Sequence, residues 1–321
     1  MVRIGSDWKH AAALLMRGAL VALPTETVYG LAGRSDDPTV LKRIYAAKNR
    51  PGNNPLILHC SDLDMVREVA QLDGEALLLA EAFWPGPLTL LLPRREGILD
   101  EACAGLPRVA VRIPDSKLFR AVIAAVDVPL AAPSANMSGY VSPTRAEHVL
   151  AGMGNRVDHI LDGGPCEAGI ESTIVGWDAN GVGEVYRLGA LTLQDLESQT
   201  QHAWPLHRPD AHQPEAPGAL PHHYAPHTPV CLELPQPGDA WVTWSARAAE
   251  WPGEPGIRHH RISSTGDLAE AARNLYAAFI ELDGSGVKRI CVEAFPETGL
   301  GAALRERVQR AAARPHKSSA A

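Results

Sequence analysis

The chain has 321 residues, 45% of them hydrophobic and 21% charged, close to globular averages, so a real core is affordable and two domains are expected. A formal net charge of −7 excludes a general polyanion-binding surface, so any basic site must be local. Five scattered cysteines (Cys60, Cys103, Cys166, Cys231 and Cys291) with no CxxC pair argue against a disulfide framework or a cysteine zinc site, and they fit a reducing cytoplasm.

The first residues, MVRIGSDWKH, carry no apolar signal core. The two most apolar runs, 76–92 and 121–135, are broken by Glu81, Pro85 and Pro87 and by Asp127 and Pro129, so no membrane span is expected.

Taken in order, residues 6–18 predict an amphipathic helix and Leu20 to Pro24 a strand. Thr25, Glu26 and Thr27 then set three polar side chains just after that strand, a usual place for binding groups in an α/β fold; a plain polar turn is the alternative. Gly30 and Gly33 permit positive φ or close backbone approach. Asp37-Pro38 reads as an N-cap followed by proline at the first helical position, opening a helix to about Ala47.

The helix exit leads into the stretch that organises the rest, KNRPGNNPLILH from Lys48 to His59. Gly and Pro force a turn there, and Lys48 and Arg50 flank it. Two cations at the mouth of a turn make an anion site, with phosphate the obvious anion. The alternative is a solvated helix end, where cations meet the C-terminal dipole.

Beyond it, Ser61 and Asp64 resemble a capping box for a helix near 62–70. A further helix covers about 74–83, and Leu88 to Leu92 reads as a buried strand. In Pro107 to Pro114, Val109, Val111 and Ile113 alternate with Arg108, Ala110 and Arg112. A strand puts both arginines on one face, about 13 Å apart, suited to an extended, multiply charged ligand. The alternative is a half-exposed strand with a solvated face.

A helix at 116–126 leads to the apolar 128–132 run and then to PSANMSGYVSPT, where Ser134, Asn136, Ser138 and Ser142 offer donors on a Gly/Pro-bounded loop. Ser142-Pro143 also reads as a helix start. Strands are predicted at 158–162, 172–176 and 183–188, the last two carrying Ser172, Thr173 and Arg187.

Between His202 and Pro229 prolines and histidines concentrate, which reads as an irregular linker. His222-His223 matches no defensible zinc-ligand spacing. From Val230 onward, strands at 241–244 and 289–293 alternate with helices at 267–282 and 300–313, indicating a small α/β domain with a parallel sheet.

PTETVYGLA (24–32), KNRPGNNPL (48–56), AVRIPD (110–115), PSANMSG (133–139), ESTIV (171–175) and YRLGA (186–190) together resemble the YrdC/Sua5 family in order and spacing. PG…HHYAP (217–226) and FPETGLGAALRERVQRAA (295–312) are similar to its longer, Sua5-type branch. The resemblance implies a twisted open mixed α/β sheet with a concave basic cavity, plus a smaller C-terminal Rossmann-like α/β domain. It divides the chain into a YrdC-like catalytic domain at 1–197, a linker and active-site lid at 198–229, a C-terminal domain at 230–316 and a tail at 317–321.

The resemblance also implies a nucleotidyltransferase. L-threonine, bicarbonate and ATP would give threonylcarbamoyl-AMP and pyrophosphate, with Mg²⁺ on the phosphates and no tightly bound prosthetic group. This is the first step of threonylcarbamoylation of adenosine 37 in tRNA, completed by a downstream transferase complex. Carried over by position, Thr27, His59, Arg112, Ala132 and Ser172 would hold threonine, with Arg112 on its carboxylate. Lys48, Arg50, Asn54, Arg108, Ser134, Asn136, Ser142, Arg187 and Tyr224 would line the ATP site, with Lys48 and Arg50 neutralising the reacting phosphates. Tyr224 would close over the nucleotide.

No metal ligand is assigned among the side chains, and His59 is one candidate base. A non-catalytic double-stranded RNA- or tRNA-binding protein of the same fold is the alternative, disfavoured by the net charge. The related carbamoyl-adenylate enzyme of hydrogenase maturation would bring paired CxxC motifs that are missing.

Overall fold

Short strands are interspersed with helices, several of which open on a side-chain N-cap. The computed structural model describes residues 3–178, 180–207, 215–217, 223–246 and 253–313. Contacts divide the chain into two units, residues 1–138 with 143–220 and residues 139–142 with 221–321.

In the first unit the elements run β1 (Arg3–Gly5), α1 (Trp8–Met16), β2 (Val21–Pro24), β3 (Tyr29–Arg34), α2 (Pro38–Lys48), β4 (Ile57–His59), α3 (Leu63–Val69), α4 (Gly74–Phe83) and β5 (Leu88–Pro93). They continue with α5 (Asp100–Cys103), β6 (Arg108–Arg112), α6 (Lys117–Val126), β7 (Leu130–Ala131), α7 (Ala146–Met153), β8 (His159–Leu161), β9 (Thr173–Trp177), β10 (Gly183–Arg187) and α8 (Leu193–Thr200). The second unit holds β11 (Val230–Cys231), β12 (Ala240–Thr243), β13 (Arg258–Arg261), α9 (Leu268–Leu282), β14 (Ile290–Val292) and α10 (Gly299–Ala312).

Among the described residues the first unit forms one mixed sheet in the order β1-β8-β2-β3-β7-β4-β6-β5-β9-β10. The pairs β4/β6 and β5/β9 are parallel; β3/β7, β4/β7, β5/β6 and β9/β10 are antiparallel. Register fixes which side chains share a face, because strand side chains alternate. Ile57 pairs Ala110, His59 pairs Arg112, and Leu91 pairs Ala110. Ile57, Leu91 and Ala110 make a small apolar patch with Tyr186, apart from the main core. Their neighbours Leu58, Leu90, Leu92, Val109 and Val111 point the other way into that core. His59, Thr89, Arg108 and Arg112 therefore share the face of Ile57, Leu91 and Ala110.

Several elements depart from the sequence reading. The 24–36 stretch contains β3, which pairs with β2 as an antiparallel hairpin. Gly30 and Gly33 stand in that strand because of close approach, not positive φ. A Cβ on Gly33 would meet Val40 at 2.5 Å, and one on Gly30 would meet Ala132 at 3.2 Å. Asp62, not Ser61, caps α3, accepting from the Met65 N–H at 2.9 Å. No helix starts at Ser142-Pro143; α7 begins after Arg145, and the Pro143 carbonyl accepts from the Tyr29 N–H. The region read as linker begins inside α8, which opens on a Thr192–Asp195 capping box that the sequence reading does not mark.

The second unit has one four-stranded sheet, β11-β14-β12-β13, in which β11/β14, β12/β14 and β12/β13 are all parallel. Cys231 and Cys291 are register partners on β11 and β14, with Cα atoms 4.6 Å apart, so their side chains lie side by side. Residues 60 apart in sequence are brought together by a parallel pair that sequence alone does not specify. The 139–142 segment belongs to this unit, with the Tyr140 hydroxyl donating to Asp283 at 2.8 Å and the Ala225 N–H to Gly139. Among the described residues no helix is long and apolar enough to cross a membrane.

Candidate active site

The organising stretch follows α2. Asp37 caps the start of that helix, accepting from the Thr39 and Val40 N–H groups, with Pro38 at the first position. Asn49, in the left-handed region at φ 53°, ends it and turns the chain. Lys48 is thereby driven inward, 1% exposed. Its ammonium donates to the carbonyls of Ser134 and Asn136 at 2.5 and 2.6 Å and faces Asn136 Oδ1 at 3.3 Å. Burial, then the charge of Arg50, holds its pKa well below the usual lysine range.

Arg50 closes the Pro51–Pro55 turn. Its Nη2 donates to Asn54 Oδ1 at 2.6 Å and to the Pro55 carbonyl, and its Nε to the Asn54 carbonyl. Asn54 is fully buried, and its Nδ2 has no acceptor among the described residues. A buried amide donor with nothing to donate to suits an incoming oxygen.

A second cluster gathers around Arg112, at the end of β6 and 3% exposed. Nε donates to the Gly86 carbonyl at 3.0 Å and Nη1 to Thr27 Oγ1 at 2.9 Å. Thr27 Oγ1 also lies 2.8 Å from Thr25 Oγ1. Glu26 Oε1 approaches Arg112 Nη2 at 2.5 Å. His59 is buried against Phe119, with Nδ1 3.3 Å from the Ile57 carbonyl. Burial, then the charge of Arg112, pushes its pKa down to about 3, so it is a neutral imidazole at physiological pH.

Ser172, just before β9, links two more strands. Its hydroxyl lies 2.8 Å from Thr89 Oγ1 on β5 and accepts from Arg187 Nη2 at 3.0 Å. Arg187, at the end of β10, also grips the Ser172 carbonyl and donates to the Pro217 carbonyl at 3.3 Å. Arg108 lies four residues back along β6, with its guanidinium over the Tyr186 ring at 5.1 Å and ion-paired with Glu215. The two arginines of one strand face thus each hold an internal carboxylate.

The loop after β7 carries Ala132, Ser134 and Asn136. The Ala132 N–H donates to the Ile57 carbonyl, and Gly30 bridges to Ser134. Ser142 and Tyr224 fall in the second unit. There Tyr224, at φ 63°, is buried between the Tyr276 ring and the Arg307 guanidinium, 4.7 Å from its centroid. His222 lies outside the described residues, and no group of metal-ligating side chains occurs among those described. A separate cavity of about 540 Å³ lies at the far end of β9, lined by Glu75, Trp177 and His202, and includes none of the predicted site residues.

Sequence reading alone does not assign Thr89 or Glu215 to the site, and it marks Glu26 as one of three polar side chains after β2 without giving it a role. A lone hydroxyl inside the apolar run Leu88–Leu92 is the available signal for Thr89. For Glu26 it is an acid in a segment otherwise bound for the interior. Glu215 reaches Arg108 across 107 residues, which no local pattern reveals.

The Sua5/YciO/YrdC family model, described as telomere recombination, matches residues 13–189. The chain belongs to the Sua5/YciO/YrdC family. A second model, described as the C-terminal domain of threonylcarbamoyl-AMP synthase, matches residues 190–313. The threonylcarbamoyl-AMP synthase of Bacillus subtilis is 36% identical, covering 94% of this chain and 92% of that protein. That of Pyrococcus abyssi is 35% identical, with 95% and 94% covered. The crystal structure of P. abyssi Sua5 complexed with L-threonine aligns with a TM-score of 0.87 at 32% identity, covering 97% of both chains. Escherichia coli YciO shares the fold over 59% of this chain, with a TM-score of 0.51 at 20% identity. The match thus extends through both units of this Sua5/YciO/YrdC chain.

Proposed function

We propose that this protein synthesises L-threonylcarbamoyl-AMP from L-threonine, bicarbonate and Mg²⁺-bound ATP, releasing pyrophosphate. The observation that carries the reading is the end-to-end structural match to a Sua5 crystallised with L-threonine. The threonylcarbamoyl-AMP synthase relatives of similar length support it.

The site chemistry fits. Arg112, fixed by Gly86 and Thr27 and in contact with Glu26 through Nη2, is a rigid cation suited to receive the amino-acid carboxylate. Thr27 and Ser172 offer hydroxyls to the remaining polar groups. The amine and bicarbonate give a carbamate, whose oxygen attacks the α-phosphorus and expels pyrophosphate. Such a transfer needs positioning and neutralised charge more than a protein nucleophile. Lys48, Arg50 and Arg187 supply buried positive charge, and Arg108 a partly exposed one. Asn54 Nδ2 supplies an unmatched donor, and Ser134 and Asn136 line the same corner through Lys48.

His59, held neutral and packed on Phe119, shapes the threonine side of the site. The product feeds a downstream transferase that modifies tRNA, in the cytoplasm.

The deciding experiment measures pyrophosphate release from ATP and bicarbonate with and without L-threonine, and identifies the adenylate by mass. Threonine-dependent release with that product is expected. Its failure in folded, ATP-binding protein overturns the reading.

A further inference from the structure

Glu26 lies two residues past the end of β2, and its side chain is only 8% exposed. Its Oε1 lies 2.5 Å from Arg112 Nη2. Yet neither oxygen of Glu26, nor Nη2 of Arg112, has a hydrogen bond of good geometry among the described residues. The two groups touch as charges while their directional bonds stay unmade. Arg112 does not need Glu26 for its orientation, because Gly86 and Thr27 already hold its other nitrogens. A buried carboxylate with unmade bonds is costly unless a donor arrives.

An α-amino acid brings that donor. Its carboxylate and ammonium are separated by one carbon. A guanidinium that takes the carboxylate sets the ammonium beside the groups that touch that guanidinium, and the anion among them here is Glu26. We propose that Glu26 binds the ammonium of the substrate amino acid and takes its proton when the amine is carboxylated. This rests on the threonylcarbamoyl-AMP reading and on Arg112 as carboxylate receptor.

The step balances. One N–H bond of the ammonium breaks, its electron pair stays on nitrogen, and the proton passes to a Glu26 oxygen. The nitrogen pair then attacks the bicarbonate carbon, forming the N–C bond. The hydroxyl of bicarbonate departs as water with a second amine proton. Threonine ammonium, bicarbonate and ionised Glu26 thus become carbamate, water and protonated Glu26. The neutral acid no longer repels the new carbamate anion, and it returns its proton to solvent after turnover. The charged and titratable groups around Glu26 are Arg112 on β6 and the buried thiol of Cys166, with His59 next to Arg112. His59 is neutral and Cys166 is held protonated, its pKa raised first by burial, so neither competes for the proton.

The test compares Glu26→Gln and Glu26→Asp with the parent protein in threonine-dependent pyrophosphate release, from about pH 6.5 to 9.5 across the titration of an α-amino group. Glu26→Gln is expected to lose about 100-fold or more in kcat/KM for threonine near neutrality. ATP affinity should stay within about twofold. The deficit should shrink by about tenfold per pH unit, as free amine replaces the missing acceptor. Glu26→Asp, which keeps the charge, should retain more activity than Glu26→Gln, and decides the matter if the Gln variant does not fold. A loss independent of pH, an equal loss for ATP and threonine, or full activity in Glu26→Gln overturns the proposal. A parent protein without threonine-dependent release overturns instead the functional reading beneath it.

Discussion

The Lys48 ammonium donates to the main-chain oxygen of Asn136 at 2.6 Å, joining the exit of α2 to a loop 88 residues away. With the Ser134 carbonyl at 2.5 Å, it ties together two segments that carry separate motifs. In this structure Lys48 is therefore a clamp on the Ser134–Asn136 loop as well as a charge. Lys48→Met should destabilise the first unit by about 3–5 kcal/mol, the usual cost of breaking a buried, hydrogen-bonded charge, and weaken ATP binding with it. Asn136→Ala should cost less, because both carbonyl acceptors remain. Chemical denaturation alongside ATP titration checks this; a Lys48→Met protein of parental stability rejects the clamp.

Arg112 predicts a division between substrates. Arg112→Ala should raise the threonine requirement about 10- to 100-fold, the equivalent of a charge-assisted hydrogen bond, with a smaller change for ATP. It should also destabilise the fold, because Glu26 is left buried without its cation. Adding Glu26→Ala should recover part of that stability but none of the threonine use. Steady-state kinetics and melts of the two single variants and the double variant measure both effects. Equal effects on threonine and ATP would sink the carboxylate assignment.

How much of this is legible in sequence can be judged residue by residue. The Arg108–Arg112 alternation, the Asp37-Pro38 cap and the Lys48–Arg50 turn are readable, because each is a local rule of strand, helix end or turn. β3 is hidden because Gly30 and Gly33 read as turn residues. They are glycine because Ala132 and Val40 occupy the space a Cβ would need, a tertiary fact. Arg108 and Arg112 fall on one face as the alternation predicts, but nothing in the sequence names Glu215 and Glu26 as their partners. An ion pair across 107 residues has no sequence periodicity. Cys231 and Cys291 fall in the same class, since only the β11/β14 register brings them together.

The buried neutral His59 predicts a pH dependence. Its pKa falls from the ordinary 6.5 to about 3 on folding, so the unfolded chain binds the proton first. Its effect on stability is absent above pH 6.5 and grows as pH falls from there toward 3. The full loss is of order 5 kcal/mol by linkage. His148, His259 and His260 are also lowered and add in the same direction, while His202 is raised and opposes it. The difference between parent and His59→Asn isolates the one group. Urea denaturation at about pH 7 and about pH 5, above the main carboxylate range, should show a smaller acid sensitivity in His59→Asn. Identical slopes in the two proteins reject the assignment.

Arg307 predicts a stability effect confined to the second unit. Its guanidinium is 0% exposed, stacks on the Tyr224 ring at 4.7 Å and donates to Glu306 at 2.8 Å. Arg307→Ala removes a large buried side chain and a desolvated cation–π contact, so a loss of about 3–5 kcal/mol is expected. Arg307→Met, which keeps much of the volume, should recover about half. Hydrogen exchange of α9 and α10 reads the effect directly. Unchanged protection in Arg307→Ala would mean that Tyr224 is held by other contacts.

Gly189 positions Ser172 by being small. A Cβ there would stand 2.4 Å from the Glu171 oxygen, the Ser172 carbon and the Thr173 nitrogen, all backbone atoms. Real carbon contacts do not approach so closely, and backbone cannot swing aside as a side chain can. The Ala190 N–H also bonds the Glu171 carbonyl at 3.0 Å, so the two segments are locked together. Gly189→Ala must push the Glu171–Thr173 segment outward, moving the Ser172 hydroxyl off Thr89 and Arg187. A displacement of about 1 Å at a positioning group costs about 100-fold in rate. The overpacking itself should cost only about 1–3 kcal/mol of stability. The expected result is a folded protein with threonine-dependent turnover reduced far more than its melting temperature suggests. Gly52, where a Cβ would meet nothing within 4 Å, is the control, and Gly52→Ala should behave as the parent. Parental turnover in Gly189→Ala would show that the segment shifts without carrying Ser172 out of place, and would remove Ser172 from the residues whose position matters.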